Sequence, residues 1–276
     1  DMADRGQFAV EIFVIALLYK MLYPDRVVMN RGNHELQDIS RAYGFFDELQ
    51  SKHHPALFMM FQSLFQVLPL ATVLAGSVFV VHAGLPRFYN VQVGHIGGVR
   101  DRFAELPEQV RTFEEAVKWD CLWADPMDTP GVSRNNNRGD NVISYGPDVT
   151  HSFLQANGFS FVIRSHEVPR TNAGYEYRHD GRLITLFTAS NYCGTCGNRG
   201  AVAVLDQSMM LSLVEHMAPP LKDLVAFYAS QSPGKAAEAE KKAGRRKSTW
   251  EGMQKSMELM QEEVLAKLEA RVIQRK

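Results

Sequence analysis

Three short apolar runs each end against a polar cluster that contains a histidine, and this pattern limits the folds open to the chain more than any other. Arg26 to Met29 leads into Asn30-Arg31-Gly32-Asn33-His34-Glu35. Ser77 to Val81 leads into His82-Ala83-Gly84, and Phe159 to Arg164 leads into Ser165-His166-Glu167-Val168. Short runs rich in β-branched and aromatic residues read as buried strands. In α/β sheets the functional side chains gather at the strand ends.

The text between these runs is mostly helical. Residues 7–24 place Phe8, Ile12, Ile15 and Leu22 at helical spacing, and Pro24-Asp25 ends that helix. Residues 36–68 and 107–123 also read as helix, as does Asp148 to Asn157. Residues 70–82 read as two strands around a turn at Ala75-Gly76-Ser77. Residues 125–142 read as a polar loop, and Leu183–Phe187 and Ala201–Leu205 as further strands. Helices mixed with locally pairing strands predict an α/β fold, a layered sheet covered by helices. No internal repeat is visible.

Composition narrows the function classes. With 45% apolar and 22% charged residues among 276, global disorder is excluded. A net charge of −1 argues against a nucleic-acid binder driven by bulk electrostatics. The longest apolar stretch, Leu68 to Val81, is broken by Pro69, Gly76 and Ser77, so no membrane span is expected. Three cysteines make no disulfide framework, which points to a reducing compartment, cytoplasmic or nuclear. Residue 1 is Asp rather than Met, so the chain reads as cut at its start.

Asp1-Met2-Ala3-Asp4-Arg5-Gly6, taken alone, is as much a turn as a site. A single strand-end histidine is more often structural than functional. Three of them, His34, His82 and His166, together with Asp1 and Asn33, are harder to dismiss. A mixed Asp/Asn/His set suits Mn, Fe or Zn better than the all-oxygen sites of calcium.

At this point a resemblance appears. Asp-x-x-Asp-Arg-Gly (1–6), Arg-Gly-Asn-His-Glu (31–35), His-Ala-Gly-Leu (82–85) and Trp-Ala-Asp-Pro (123–126) occur in order. Tyr-Gly-Pro-Asp-Val (145–149), Arg-Ser-His-Glu-Val (164–168) and Ala-Ser-Asn-Tyr-Cys (189–193) follow them. Together they resemble the metal-dependent serine/threonine protein phosphatases, over residues 1 to about 215. Asn-His-Glu alone is shared with nucleases and nucleotide hydrolases of the wider metallophosphoesterase class. Arg-Ser-His-Glu, Ala-Ser-Asn-Tyr and the tail Glu-Ala-Arg-Val-Ile-Gln-Arg-Lys resemble more narrowly the branch that carries C-terminal EF-hands, the retinal-degeneration-C type. No Asp-x-Asp-x-Asp-Gly loop occurs here, so calcium enters only if EF-hands follow residue 276.

The resemblance implies a central β-sandwich flanked by helices, with its first sheet segment missing. It also implies phosphoprotein substrates, two divalent metal ions and a metal-bridging water that attacks phosphorus. Asp1 resembles the bridging carboxylate, and Asn33, His82 and His166 resemble the remaining ligands of one metal. The other metal requires an Asp-x-His pair expected upstream, without which the chain as given is expected to be inactive. His34 resembles the general acid and Asp4 its orienting carboxylate. Arg5 and Arg138 resemble the pair that grips phosphate, and Tyr192 a tyrosine that lines the site. Two departures stand out: Ala83 replaces a usual glycine, where a positive φ would strain it, and the text after Leu85 lacks the usual serine. The rival readings are a dinucleoside polyphosphate hydrolase or other metallophosphoesterase, and an inactive phosphatase-like binding module.

The remaining signals are weaker. Cys193-Gly194-Thr195-Cys196 has the spacing of a redox or zinc half-site, but only Cys121 is left to complete a zinc site, and Cys193 is already explained by the resemblance. His53, His54, His95, His151, His179 and His216 have no partner pattern and read as structural or solvated. The catalytic domain is expected to span 1–218, followed by a helix and charged linker over 219–249. Trp250, Met253, Met257, Met260, Val264, Leu268 and Val272 then form an amphipathic helix over 250–276. It reads as a docking or linker helix, a contact for a regulatory or EF-hand region, ahead of a calmodulin target. Arg245-Arg246-Lys247-Ser248 fits a basophilic kinase site, though motifs this short often arise by chance.

Overall fold

The computed structural model describes residues 1–99, 109–110 and 112–219, and Asp1–Ala218 forms one unit. The expected segments over 219–249 and 250–276, and the motif at 245–248, lie outside the described residues apart from Pro219.

Four helices open the chain: α1 (Ala9–Leu22), α2 (Gln37–Ala42), α3 (Phe45–Lys52) and α4 (Leu57–Val67). The sequence predicts one helical stretch over 36–68, and the structure breaks it into three. Gly44 takes φ 125°, a conformation closed to other residues at low cost. Pro55, after His53-His54, supplies no N–H for a continuing helix. Phe13, Phe45, Phe58 and Phe65 are all buried where α1, α3 and α4 meet, with Phe45 and Phe61 edge to face at 5.0 Å. Glu48 of α3, itself buried, accepts the N–H groups of Ala9 and Val10 at 3.1 Å each. It thereby satisfies donors that the first turn of α1 leaves free.

The sheet follows. β1 (Ala71–Leu74) and β2 (Val78–Val81) form the predicted hairpin. With β6 (Phe161–Arg164), β7 (Tyr175–Arg178) and β8 (Leu183–Leu186) they make a five-stranded sheet in the order β1-β2-β6-β8-β7. The central pairings β2–β6 and β6–β8 are parallel. Their near-continuous apolar text, Val-Phe-Val-Val and Phe-Val-Ile, is what a strand covered on both faces needs. α6 (Phe113–Trp123) and α7 (Pro147–Asn157) supply one cover. Val117, Cys121, Val149 and Phe153 from these helices share a buried cluster with Phe79, Val81, Val162 and Leu183. Thr112 caps α6 in a reciprocal box with Glu115, so the helix begins there within the predicted 107–123 stretch. α5 (Val93–Gly97) is a single turn that the sequence reading missed.

Arg26–Met29 is not a strand, contrary to the sequence expectation. The turn after Pro24, with Arg26 and Val27 N–H both on the Tyr23 carbonyl, leaves the segment without a ladder. It is held beside the hairpin by Arg31 N–H on Pro69 O at 2.8 Å and by Asn30, which bonds Val80 O and Thr72. The 125–142 region is not wholly loop either. Asp125–Pro126 (β3) and Val132–Arg134 (β4) pair with Ile143–Tyr145 (β5). β9 (Gly200–Leu205) and β10 (Leu211–His216) form a separate antiparallel ladder. Tyr175–Arg178 and Leu211–His216 are strands that the sequence reading did not find. The fold is α/β with helices over mixed sheets, as expected.

Candidate active site

Because β2, β6 and β8 run parallel, their C-terminal ends share one edge of the sheet. His82 follows β2, His166 follows β6, and the loop after β8 carries Tyr192. The polar turn Asn33–Glu35 reaches the same edge beside the hairpin.

The expected metal-ligand residues converge there. His82 Nε2 lies 2.8 Å from Asn33 Oδ1, 3.0 Å from His166 Nδ1 and 3.3 Å from Asp1 Oδ1. Donor atoms bound to one ion at about 2.1 Å lie about 3.0–3.4 Å apart, so the spacing suits a shared cation. The Asn33 amide oxygen faces only acceptors. Turned over, its nitrogen would donate to His82, His166 and both Asp1 oxygens. Lone pairs converge on one point, which calls for a proton or a cation. Burial pushes both His82 and His166 well below the ordinary imidazole pKa, so both rings are neutral near pH 7. Among the described residues, Asp1, His82 and His166 form a group able to hold a metal. The residues present therefore fit a divalent metal ion.

Glu35 holds the Asp1 segment in place. Its buried carboxylate accepts N–H groups from Met2 at 2.8 Å, Ala3 at 3.0 Å and Gly32 at 2.7 Å. Burial raises the pKa of this carboxyl, and the three N–H donors from Met2, Ala3 and Gly32 lower it. Gly32 has no room for a side chain, since a Cβ would strike Asp1 and Glu35.

His34 and Asp4 pair beside the ligands. His34 Nδ1 meets Asp4 Oδ2 at 2.6 Å, and both residues are buried. Asp1 Oδ1 takes the His34 backbone N–H at 3.0 Å, which ties the pair to the ligand set. The two arginines reach the same cleft of about 850 Å³, together with His166 and Tyr192. Arg5 is exposed, with its guanidinium 4.4 Å from the centre of the Tyr43 ring. Arg138 is held by Asp125 at 2.8 Å. Burial raises the Tyr192 phenol, whose ring packs edge to face on Phe187 at 5.1 Å.

All nine predicted site residues thus meet at one sheet edge. Asp4 (φ 68°), Arg5 (φ 59°) and His166 (φ 71°) hold left-handed backbone without being glycine. Such strain persists where the surrounding structure demands it, and it clusters at functional sites. Ala83 carries none: it is not among the positive-φ residues.

Sequence reasoning missed a second layer. Arg164, fully buried, donates to Ala83 O at 2.5 Å, Glu167 at 2.7 Å and Asp125 at 2.9 Å. Asp125 in turn holds Asn135 and Arg138, and its Oδ1 stands 3.9 Å from His166 Nε2. Both residues stand in motifs that carry the family resemblance, Trp-Ala-Asp-Pro and Arg-Ser-His-Glu-Val, but nothing in the sequence pairs them.

Comparison with known proteins follows the same lines. The family model described as calcineurin-like phosphoesterase matches residues 1–170. Serine/threonine-protein phosphatase T of Schizosaccharomyces pombe is 39% identical over 220 residues, 80% of this chain and 45% of that protein. Serine/threonine-protein phosphatase 5 of Arabidopsis thaliana is 39% identical over 234 residues, 84% of this chain and 39% of that protein. A Saccharomyces cerevisiae protein serine/threonine phosphatase described as similar to human phosphatase PP5 superimposes with a TM-score of 0.70 and 31% identity. That match covers 80% of this chain and 69% of the yeast chain. The chain spans less than half the length of the two curated relatives. Their names are phosphatase T and phosphatase 5, and the narrower resemblance to the EF-hand branch finds no support in them.

Proposed function

The chain belongs to the calcineurin-like phosphoesterase family, and we propose that it is the catalytic part of a protein-serine/threonine phosphatase, a hydrolase of phosphoserine and phosphothreonine esters. The observation that carries this reading is the His34–Asp4 pair at 2.6 Å, set against the ligand cluster and opening on a cleft with two arginines.

The roles follow from the chemistry. Asp1, Asn33, His82 and His166 would hold a divalent metal. Bound there, and with a second metal as the family resemblance implies, such ions neutralise phosphate charge and lower the pKa of water. Arg5 and Arg138 bind phosphate oxygens, since a guanidinium matches two of them at once. Asp125 fixes Arg138 for that task. His34 donates a proton from its outer nitrogen, Nε2, to the departing serine or threonine oxygen. Asp4 holds Nδ1 and stabilises the charged ring. The names of the relatives favour a phosphoprotein substrate over a dinucleotide.

The test is phosphate release from a phosphoserine peptide with added Mn²⁺. It compares the 276-residue chain, a version extended upstream to supply the Asp-x-His pair, and His34→Asn in that extended version. Loss of the proton donor is expected to lower turnover by about 10²–10⁴-fold. Turnover of a dinucleoside polyphosphate but not the peptide would replace this reading with the wider metallophosphoesterase one. Metal binding with no turnover of either substrate would point to a binding module.

A further inference from the structure

The two arginines of the cleft are held in different ways. Arg138 is tied at its Nε to the Asp125 carboxylate at 2.8 Å. Among the described residues, Arg5 makes no ion pair, and its guanidinium carbon lies instead over the Tyr43 ring, 4.4 Å from the ring centre. Tyr43 is 47% exposed, so this is a surface contact and not core packing. The same ring meets His34 at 5.5 Å, with the two planes 78° apart. Tyr43 therefore touches both a phosphate-binding arginine and the proton donor.

The backbone sets this contact. Tyr43 closes α2 with its N–H on Ile39 O at 3.0 Å, and Gly44 then turns the chain at φ 125° into α3. Phe45, the first residue of α3, donates its N–H to Asp4 at 2.9 Å, which draws the Asp4-Arg5 segment against that turn. Asp4 and Arg5 are both left-handed, at φ 68° and 59°. Two such residues in succession persist only where the surroundings hold them. The ring also differs from a carboxylate in what it leaves free. A carboxylate would occupy guanidinium N–H groups and offset the charge. An aromatic face attracts the cation through its quadrupole and takes none of those donors. An arginine already ordered on the ring loses less side-chain freedom when it binds a ligand.

We propose that Tyr43 is a positioning residue for phosphate binding: its ring holds the Arg5 guanidinium beside the cleft, with the N–H donors unused, until a phosphate takes them. That Arg5 meets a phosphoester rests on the phosphatase reading, whereas the clamp itself rests on the Arg5–Tyr43 geometry. An exposed cation–π contact corresponds to about a two- to fivefold change in an equilibrium constant. Loss of the ring should weaken phosphate binding by that factor. His34 keeps its bond to Asp4 at 2.6 Å without the ring, so kcat should change by less than about twofold.

The test uses the Mn²⁺-loaded protein, extended upstream if activity requires it. Inorganic phosphate is titrated by calorimetry, and KM and kcat are measured on a phosphoserine peptide. In Tyr43→Leu the phosphate dissociation constant and KM should both rise about two- to fivefold. Tyr43→Phe should restore both, since the ring face and not the hydroxyl holds the guanidinium. A double-mutant cycle identifies the partner. Tyr43→Leu should weaken phosphate no further in an Arg5→Ala background, and by its full factor in an Arg138→Ala background. Parent-like phosphate affinity in Tyr43→Leu would overturn the inference, as would a parent that binds no phosphate. So would a Tyr43→Phe protein as weak as Tyr43→Leu, or an undiminished loss in the Arg5→Ala background, which would reduce the ring to a part of the α2–α3 turn. A parent inert on phosphopeptides that binds phosphate in this same pattern defeats the phosphatase reading and upholds the clamp.

Discussion

Asp4 and His34 are joined at 2.6 Å, and the second oxygen of Asp4 takes the Phe45 N–H at 2.9 Å, so the carboxylate is fixed from the α3 side. One oxygen positions the imidazole and the other is anchored to the helix start. Asp4→Asn keeps the shape but removes the charge that stabilises a protonated ring. It is expected to lower turnover about 10- to 100-fold, the usual cost of losing a carboxylate behind a working histidine. The loss should stay below that of removing His34 itself. A double variant is the check: Asp4→Asn added to His34→Asn should cost little further turnover if Asp4 acts through the His34 ring, and a further fall as large as in the parent would give Asp4 a purely structural role.

Asp125 joins two tasks. It faces the buried Arg164 at 2.9 Å and holds Arg138 at 2.8 Å. Asp125→Asn leaves the Arg164 charge compensated only by Glu167, and breaking a buried pair typically costs about 3–5 kcal/mol. Glu167 limits that cost, so about 2–3 kcal/mol is expected in urea unfolding. KM for a phosphopeptide should rise as Arg138 loses its guide. A stable variant with unchanged KM would show that Arg138 is placed by other contacts.

These two carboxylates also mark what the sequence makes legible. The strand-end histidines could be read because short apolar runs force a buried sheet, and parallel pairing brings their ends together. The candidate ligand set was named once Asp1 and Asn33 joined the family pattern. Arg26–Met29 had strand composition but gained no ladder, because pairing depends on neighbours and not on the segment. The helix over 36–68 broke at Gly44 and Pro55, residues whose meaning was local and visible. Asp125 and Arg164 were invisible as a pair, since they stand 39 positions apart and meet only through β3 and β6. The left-handed backbone of Arg5 has no signature in residue type, and that of Asp4 and His166 has only the weak tendency of Asp and His toward that region.

Gly84 is a further position where backbone approach decides the residue. A Cβ there would lie 2.5 Å from Tyr145 and 2.6 Å from the Ala124 carbonyl. Both neighbours are fully buried, so neither has space to retreat. Gly84→Ala should destabilise the protein by about 1–3 kcal/mol through overpacking. The shift should reach activity as well, because Gly84 lies two residues after His82. Thermal unfolding and Mn²⁺ affinity measured together are the check. Loss of stability with unchanged metal affinity would confine the strain to the core.

His179 provides a pH dependence away from the candidate metal site. Its Nε2 lies 2.9 Å from Met127 O and its Nδ1 2.7 Å from Thr150 Oγ1. Burial lowers its pKa, with Arg178 adding to the effect and the Met127 bond opposing it. The unfolded chain, with a histidine pKa of about 6.5, then binds the proton more readily than the folded protein. Stability from this residue is full above about pH 6.5 and is lost as pH falls from there toward the depressed folded value. His179→Gln removes the titration and one well-formed bond, which costs about 0.5–1.5 kcal/mol at pH 7.5. Parent and variant stabilities should therefore converge as pH falls below 6.5, and urea unfolding from pH 7.5 to 5 measures the gap. His82 and His166 titrate in both proteins and cancel in the difference. A gap that stays constant across the range would show that His179 accepts its proton in the folded state as easily as in the unfolded one.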